Sequence, residues 1–124
     1  MTKNPTILYI DDDLSSLLLM KEQLKSSDIN VITESNGKLG ITTYLDLKDE
    51  IDLVILDVHM PQINGYDLLL SIRKNNNSTI PIIMVTATSF IENRDIILKL
   101  GANEYLIKPI PQREMLRIVK KYLT

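Results

Sequence analysis

The sequence predicts an α/β protein built on a five-stranded parallel sheet with helices on both faces. Short apolar runs recur along its 124 residues, several of them end directly at a polar residue, and segments with helical spacing separate them. Runs of this length, bounded by polar residues, are typical of buried parallel strands. Strands that alternate five times with helices indicate right-handed crossovers within one sheet.

The first strand is predicted over residues 7–10 and the first helix over residues 14–25. The helical segment carries apolar residues every three or four positions, which indicates an amphipathic helix. Ser15 or Ser16 is available to cap this helix, and Asp13 could help to start it.

The second and third strands are predicted over residues 30–33 and 52–57. Gly37 opens the second helix, which lies between these strands. Pro61 and Gly65 mark a loop after the third strand, and the apolar spacing that follows predicts a third helix.

Pro81 precedes the fourth strand, which is predicted over residues 82–86. Ser89 and Glu92 have the spacing of a capping box, which predicts the start of a fourth helix. Gly101 has the position of a residue that ends this helix.

The fifth strand is predicted over residues 104–107, and a final amphipathic helix follows Pro109 and Pro111. The apolar face of this helix is formed by Met115, Leu116, Val119 and Leu123, and its polar face by Arg113, Arg117, Lys120 and Lys121. Among doubly wound folds, the flavodoxin-like strand order 2-1-3-4-5 fits best, with strands one and three side by side at the switch point.

Composition indicates one domain over residues 1–124. The net charge is -2, from 14 basic and 16 acidic side chains, so neither direct nucleic-acid binding nor a polybasic membrane contact is expected. The absence of cysteine excludes disulfides and thiolate chemistry. No signal-peptide pattern occurs, and no apolar run approaches the ~20 residues that span a bilayer. We therefore expect a soluble, cytoplasmic protein.

The polar residues that end the strands are the candidate functional residues: Asp11, Asp12, Asp57, Thr86 and Lys108. The carboxyl ends of parallel strands line one crevice, so these side chains should converge. Three carboxylates in one crevice repel one another unless a cation intervenes. Because all the ligands are oxygens, Mg²⁺ is the natural cation, and it commonly binds phosphate oxygens as well.

A carboxylate beside Mg²⁺ can act as the nucleophile in phosphoryl transfer and form an aspartyl phosphate. In such a site Lys108 would pair with one phosphoryl oxygen, the Thr86 hydroxyl and a neighbouring backbone N–H with a second, and Mg²⁺ with the third. Taken alone, Thr86 is more typical of an ordinary strand residue and Lys108 of a solvated charge. The combination points to phosphoryl chemistry.

Over its whole length the chain resembles the receiver domains of two-component response regulators, including the chemotaxis regulators. The blocks that carry this resemblance are ILYIDDD at residues 7–13, DVHMP at residues 57–61 with Gly65, VTA at residues 85–87 and YLIKP at residues 105–109. All four occur in the family's order and at its spacing, so together they are far more specific than any one of them.

The resemblance implies that Asp57 is the phosphoacceptor and that Asp12, assisted by Asp11, binds the metal. The backbone carbonyl of His59 would be a further metal ligand. The Lys108–Pro109 peptide bond would be cis.

The resemblance further implies a switch in which Thr86 moves toward the phosphoryl group and Tyr105 turns inward, changing the surface of helix four, strand five and helix five. Tyr105 as plain core packing is the competing interpretation. The side chains at His59 and Thr88 would tune the lifetime of the phosphoryl group.

The expected partners are a sensor histidine kinase or a histidine phosphotransfer protein, together with a downstream protein target. Homodimerisation through the surface of helix four, strand five and helix five is an alternative use of that surface. The chain would catalyse only its own phosphorylation and dephosphorylation, so it is not expected to be an enzyme. A receiver module of a hybrid kinase, or a phosphorelay shuttle, is the alternative within the family.

Two other functional classes share part of this pattern. A Mg²⁺-dependent phosphohydrolase would also pass through an aspartyl phosphate at Asp57, but its common pattern has a second aspartate where this chain has His59. A flavin carrier of the same fold needs a phosphate-binding loop after the first strand, where three consecutive aspartates, at residues 11–13, would repel the phosphate.

Overall fold

A computed structural model describes residues 4–25, 27–75, 78–87 and 94–123. Over these residues five strands alternate with five helices. In chain order they are β1 Thr6–Ile10, α1 Leu14–Leu24, β2 Asn30–Glu34, α2 Gly37–Leu47, β3 Leu53–Asp57, α3 Gly65–Lys74, β4 Ile82–Thr86, α4 Arg94–Lys99, β5 Glu104–Ile107 and α5 Gln112–Leu123.

The strands form one parallel sheet in the order β2-β1-β3-β4-β5, which confirms the predicted topology. β3 lies at the centre, and all five of its residues are buried. The register pairs Ile10 with Leu56 and Asp57 with Val85, so the carboxyl ends of the central strands lie at one level.

The sheet separates two apolar clusters because successive side chains of a strand point to opposite faces. In β1, Ile7 and Tyr9 belong to the cluster covered by α1 and α5, whereas Leu8 and Ile10 belong to the cluster covered by α2, α3 and α4. Burial on both faces explains why the strand segments of the sequence are continuous apolar runs rather than alternating ones.

The prediction that Ser15 or Ser16 caps α1 is wrong, because Asp13 is the N-cap. Its backbone is extended, with φ −90° and ψ 108°, and its Oδ1 accepts a hydrogen bond of 3.1 Å from the Ser15 N–H. The Ser16 hydroxyl donates to the other oxygen of Asp13 at 2.8 Å. A carboxylate at this position accepts from backbone N–H groups that have no partner within the helix.

The last two helices agree with the expected pattern where they can be compared. In α5, Ile118 is fully buried beside Met115 and Val119, so it belongs to the apolar face although the sequence pattern did not include it. The described part of α4 ends at Lys99, and Gly101 follows with a φ of 117° that suits a residue without a Cβ. The predicted capping residues Ser89 and Glu92, and also Thr88, lie outside the described residues.

Among the described helices, none has both the length and the apolar character needed to cross a membrane.

Candidate functional site

The predicted site residues follow four neighbouring strands and converge at one edge of the sheet. Asp57 and Thr86 are the last residues of β3 and β4, Asp11 follows β1, and Lys108 follows β5. Asp11, Asp57 and Thr86 are buried, with 0%, 4% and 1% of their surface exposed. The predicted convergence is therefore present in the structure.

Three carboxylates form a cluster that could hold a metal ion. Asp11, Asp12 and Asp57 each contribute one oxygen, and these oxygens lie within 4.8 Å of one another. Asp11 is buried and Asp12 is exposed, as expected for consecutive residues that point to opposite sides of an extended backbone. An all-oxygen donor set with excess negative charge fits a hard divalent cation.

The ammonium group of Lys108 connects two of these acids. Its Nζ lies 2.5 Å from Asp11 Oδ2 and 3.5 Å from Asp57 Oδ1, and the side chain is 18% exposed. The Lys108 backbone N–H donates to the Thr86 carbonyl at 2.7 Å, which ties the end of β5 to the end of β4. The Lys108–Pro109 bond is cis, as the resemblance implied.

The charges of the site perturb one another. Burial, followed by the negative charge of Asp11, raises the pKa of Asp57 from 3.8 to about 6, although Lys108 opposes the shift. Burial by itself would lower the pKa of Lys108, but the hydrogen bond and charge of Asp11, with those of Asp57, raise it overall. Lys108 is therefore protonated at neutral pH, and Asp57 is an acid whose pKa is raised toward neutral pH.

Thr86 and Tyr105 occupy different depths of the sheet. Thr86 pairs with Ile107 at the carboxyl ends of β4 and β5, beside the acid cluster. Tyr105 lies two residues further inside β5, in register with Met84, and is half-buried against the cluster that includes Ile97. Its position accommodates both interpretations of this residue, a switch and core packing.

The loop after β3 is fixed through its backbone. The Val58 N–H donates to the Val85 carbonyl at 2.8 Å, and the Gly65 N–H donates to the Val58 carbonyl at 2.9 Å. His59 follows on this loop with an exposed side chain. The His59 side chain is thus on the outside, and the backbone of the loop is tied to β4 through Val58 and to the start of α3 through Gly65.

Sequence reasoning missed Tyr9. Its hydroxyl donates to Asp11 Oδ2 at 2.5 Å, on the oxygen that also binds Lys108. Burial, then the hydrogen bond to Asp11, raises the pKa of this phenol well above its ordinary value. The signal was present in the sequence, since residues two apart on a strand point to the same face and Tyr9 precedes Asp11 by two.

Three comparisons place these observations among known proteins. The chain matches the family described as "Response regulator receiver domain" over residues 7–120. The transcriptional regulatory protein CpxR of Escherichia coli is 38% identical over 117 residues, which are 94% of this chain and 48% of that protein. The chain spans about half the length of the curated relatives it matches.

Solved structures resemble the whole chain. A putative response regulator from Chloroflexus aurantiacus is 31% identical with a TM-score of 0.87, and the alignment covers 98% of both chains. The chemotaxis protein CheY4 of Vibrio cholerae has the same TM-score of 0.87 at 23% identity and covers 96% of this chain and 98% of its own, a likeness of fold alone.

Proposed function

Because the chain belongs to the receiver domains of two-component response regulators, we propose that it takes a phosphoryl group from a phosphohistidine onto Asp57. The observation that carries this proposal is the placement of the Lys108 ammonium between Asp57 and Asp11, with Asp12 completing an acid cluster at the same strand ends.

In the proposed reaction an oxygen of Asp57 attacks phosphorus, an O–P bond forms, and the P–N bond to the donor imidazole breaks. The imidazole nitrogen keeps the bonding electrons and the phosphoryl group remains on Asp57. Lys108 stabilises one phosphoryl oxygen as a point charge, and the Thr86 hydroxyl donates to another.

We assign Mg²⁺ as the cofactor, held by Asp11, Asp12, Asp57 and the backbone carbonyl of His59. When bound, Mg²⁺ neutralises the carboxylates and the equatorial phosphoryl oxygens. The oxygen donors of the acid cluster support this choice. The chain acts only on its own aspartate, through phosphorylation and dephosphorylation, so we do not class it as an enzyme.

The proposed output is a change at the surface formed by α4, β5 and α5, here called the switch surface. Thr86 moves toward the phosphoryl group and Tyr105 turns inward behind it. Ile96 of α4 and Ile107 of β5 are 54% and 44% exposed, which supports a role for this surface in binding a downstream protein or a second copy of the chain.

The proposed phosphodonor is a sensor histidine kinase or a histidine phosphotransfer protein in the cytoplasm. Leu14 and Leu18, one helical turn apart on α1, are 64% and 68% exposed, and Leu19 is 50% exposed. α1 begins beside the acid cluster, so its leucines offer an apolar surface for a helix that carries the donor histidine. A receiver module of a hybrid kinase, or a phosphorelay shuttle, would bind its phosphodonor through the same surface.

The test is intact-protein mass spectrometry after incubation with acetyl phosphate, with and without Mg²⁺. We expect a single phosphoryl adduct that needs Mg²⁺ and is absent from Asp57→Asn. Asp46→Asn, which changes an exposed acid on α2, is the matched control and should be labelled like the wild type. Labelling that persists in Asp57→Asn would place the acceptor elsewhere, and the absence of any adduct in a folded protein would contradict the proposal. Catalytic release of phosphate from small phosphate esters would favour the phosphohydrolase instead.

A further inference from the structure

The buried carboxylate of Asp11 has more donors than the proposed reaction uses. Its Oδ2 accepts hydrogen bonds from both the Lys108 ammonium and the Tyr9 hydroxyl, each at 2.5 Å. Its Oδ1 accepts from the Asp13 backbone N–H at 2.9 Å. Two donors on one oxygen mean that either can leave without stripping that oxygen of hydrogen bonds.

Tyr9 makes this contact from a buried position. The residue is 2% exposed and belongs to the apolar cluster under α1 and α5. It lines a cavity of about 350 Å³ between α1 and the chain after β5, together with Ser16 and Lys108. A phenolic hydroxyl carries its proton at neutral pH, so the Tyr9 hydroxyl acts as a donor to Asp11.

The need for a second donor arises when Asp57 is phosphorylated. Lys108 Nζ already lies 3.5 Å from Asp57 Oδ1, and a phosphoryl group on Asp57 brings oxygens that attract the ammonium away from Asp11. A buried carboxylate oxygen that loses a charged donor is destabilised unless another donor still holds it, even where a bound Mg²⁺ balances the charge of the cluster. For Asp11 Oδ2 that remaining donor is the Tyr9 hydroxyl.

We propose that Tyr9 is a positioning residue that holds Asp11 Oδ2 while Lys108 turns to the phosphoryl group, and thereby stabilises the phosphorylated state. This inference rests on the proposed function of Asp57 and Lys108. It assigns a role to a strand residue whose hydroxyl contacts Asp11.

The first test uses Tyr9→Phe, which removes only the hydroxyl, and beryllofluoride as a probe that mimics the phosphoryl group. We expect Mg²⁺-dependent beryllofluoride binding to weaken about tenfold, equivalent to about 1.4 kcal/mol, the scale of one hydrogen bond to a charged group. The affinity for Mg²⁺ alone should stay within about twofold, because Lys108 still holds Asp11 Oδ2 when no phosphoryl mimic is bound.

The matched control is Tyr44→Phe. Tyr44 is also buried, at 3% exposure, and its hydroxyl contacts Ser78 Oγ at 3.0 Å, remote from the acid cluster. This variant should bind beryllofluoride like the wild type. Equal losses in both variants, or equal losses of beryllofluoride and Mg²⁺ affinity in Tyr9→Phe, would reduce Tyr9 to a packing residue and overturn the inference.

A spectroscopic readout follows the hydrogen bond itself. Tyrosine carrying an NMR-active label at Cζ gives one signal for each of the five tyrosines, and Tyr9→Phe identifies the signal of Tyr9. We expect the chemical shift of that signal to change when Mg²⁺ and beryllofluoride are added, because Tyr9 is then the remaining side-chain donor to Asp11 Oδ2. An unchanged chemical shift in protein that has bound beryllofluoride would contradict the proposed movement of Lys108 away from Asp11.

A double-mutant cycle on urea unfolding separates this inference from the proposed function, since it needs no phosphorylation. In the Lys108→Met background, Tyr9→Phe should lower the folding equilibrium constant at least about tenfold more than in the wild type, because Asp11 then loses both donors from Oδ2. Tyr44→Phe should have the same effect in both backgrounds. Additive effects of Tyr9→Phe and Lys108→Met would overturn the inference even if acetyl phosphate labels Asp57 as proposed. Coupling between the two substitutions in a protein that acetyl phosphate does not label would instead overturn the proposed function.

Discussion

At the scale of single residues, Asp57 holds a charge that the folded protein disfavours. It is 4% exposed, lies beside Asp11, and has a pKa of about 6 instead of 3.8. Between these two pKa values the folded chain binds more protons than the unfolded chain. Stability is therefore greatest below the pKa of the unfolded chain and decreases as the pH rises through the folded pKa.

The corresponding prediction concerns unfolding in urea without divalent ions. As the pH rises from about 4 to above 6, we expect the contribution of Asp57 to lower the free energy of unfolding by about 2 kcal/mol. Asp57→Asn should remove this dependence and be more stable than the wild type at neutral pH. Mg²⁺ should restore stability to the wild type more than to Asp57→Asn. Identical pH profiles for the two proteins would show that folding does not raise the pKa of Asp57.

The sequence identified the acids and the lysine of the site but not all their contacts. Asp11, Asp57 and Lys108 each follow an apolar run, so their convergence follows from the topology of a parallel sheet. The cap at Asp13 and the hydroxyl contact of Tyr9 depend on backbone angles and side-chain reach that residue type alone does not specify.

At the scale of secondary-structure elements, the junction between β3 and α3 leaves no room for a side chain at Gly65. A Cβ on Gly65 would lie 2.3 Å from the Asp57 carbonyl oxygen and 2.9 Å from the Val58 Cα, and both are backbone atoms that cannot turn aside. The glycine lets the first turn of α3 pack directly against the end of the strand that carries Asp57.

We therefore expect Gly65→Ala to destabilise the protein by about 3 kcal/mol and to weaken Mg²⁺ binding, because the loop after Asp57 must move. Urea unfolding and Mg²⁺ titration measure these effects. Gly37→Ala is the control for Mg²⁺ binding, since its Cβ would meet the side chain of Ile63 and not the backbone beside Asp57, so it should lose stability but keep its Mg²⁺ affinity. Equal losses of Mg²⁺ affinity in the two variants, or an unchanged Mg²⁺ affinity in Gly65→Ala, would show that the junction does not position the site.

The strands were predictable to within about one residue, whereas one contact between elements was not. Apolar runs of four or five residues leave little freedom in placing a buried strand. Arg73 at the end of α3, however, uses its guanidinium donors on carbonyl oxygens of Ser78, Ile80 and Gly101 and on Asn103 Oδ1. Nothing in the pattern around Arg73 distinguishes this clamp from an exposed arginine of a last helical turn.

At the scale of the whole molecule, the strand order connects the site to the switch surface. β4 carries Thr86 beside the acids and pairs with β5, which carries Tyr105 and the exposed Ile107. In the proposed switch, a change at Thr86 would therefore reach the switch surface through adjacent strands. Such a coupling is a preference between two shapes, which phosphorylation would shift only by its different contacts in each.

If the switch surface pairs with a second copy of the chain, beryllofluoride with Mg²⁺ should increase dimerisation, and Ile107→Glu should weaken the dimer by at least about tenfold by placing charge in an apolar contact. Sedimentation velocity measures both effects. Leu45→Glu, on α2 and 45% exposed, is the control and should dimerise like the wild type. A dimer insensitive to Ile107→Glu would use another surface, and a chain that stays monomeric would leave the switch surface to a different protein.

Every acid of the cluster, together with Thr86 and Lys108, stands at or just beyond the end of a strand, while Leu14 and Leu18 stand on the outer face of a helix. In the proposed function, phosphoryl chemistry and recognition of the phosphodonor thus use different side chains, although Leu14 follows Asp12 by only two positions. On that proposal, exchanging the solvent-facing residues of α1 would direct the chain to a new phosphodonor and keep the reaction intact. Duplicated copies of such a gene would then acquire insulated signalling routes through a few surface substitutions.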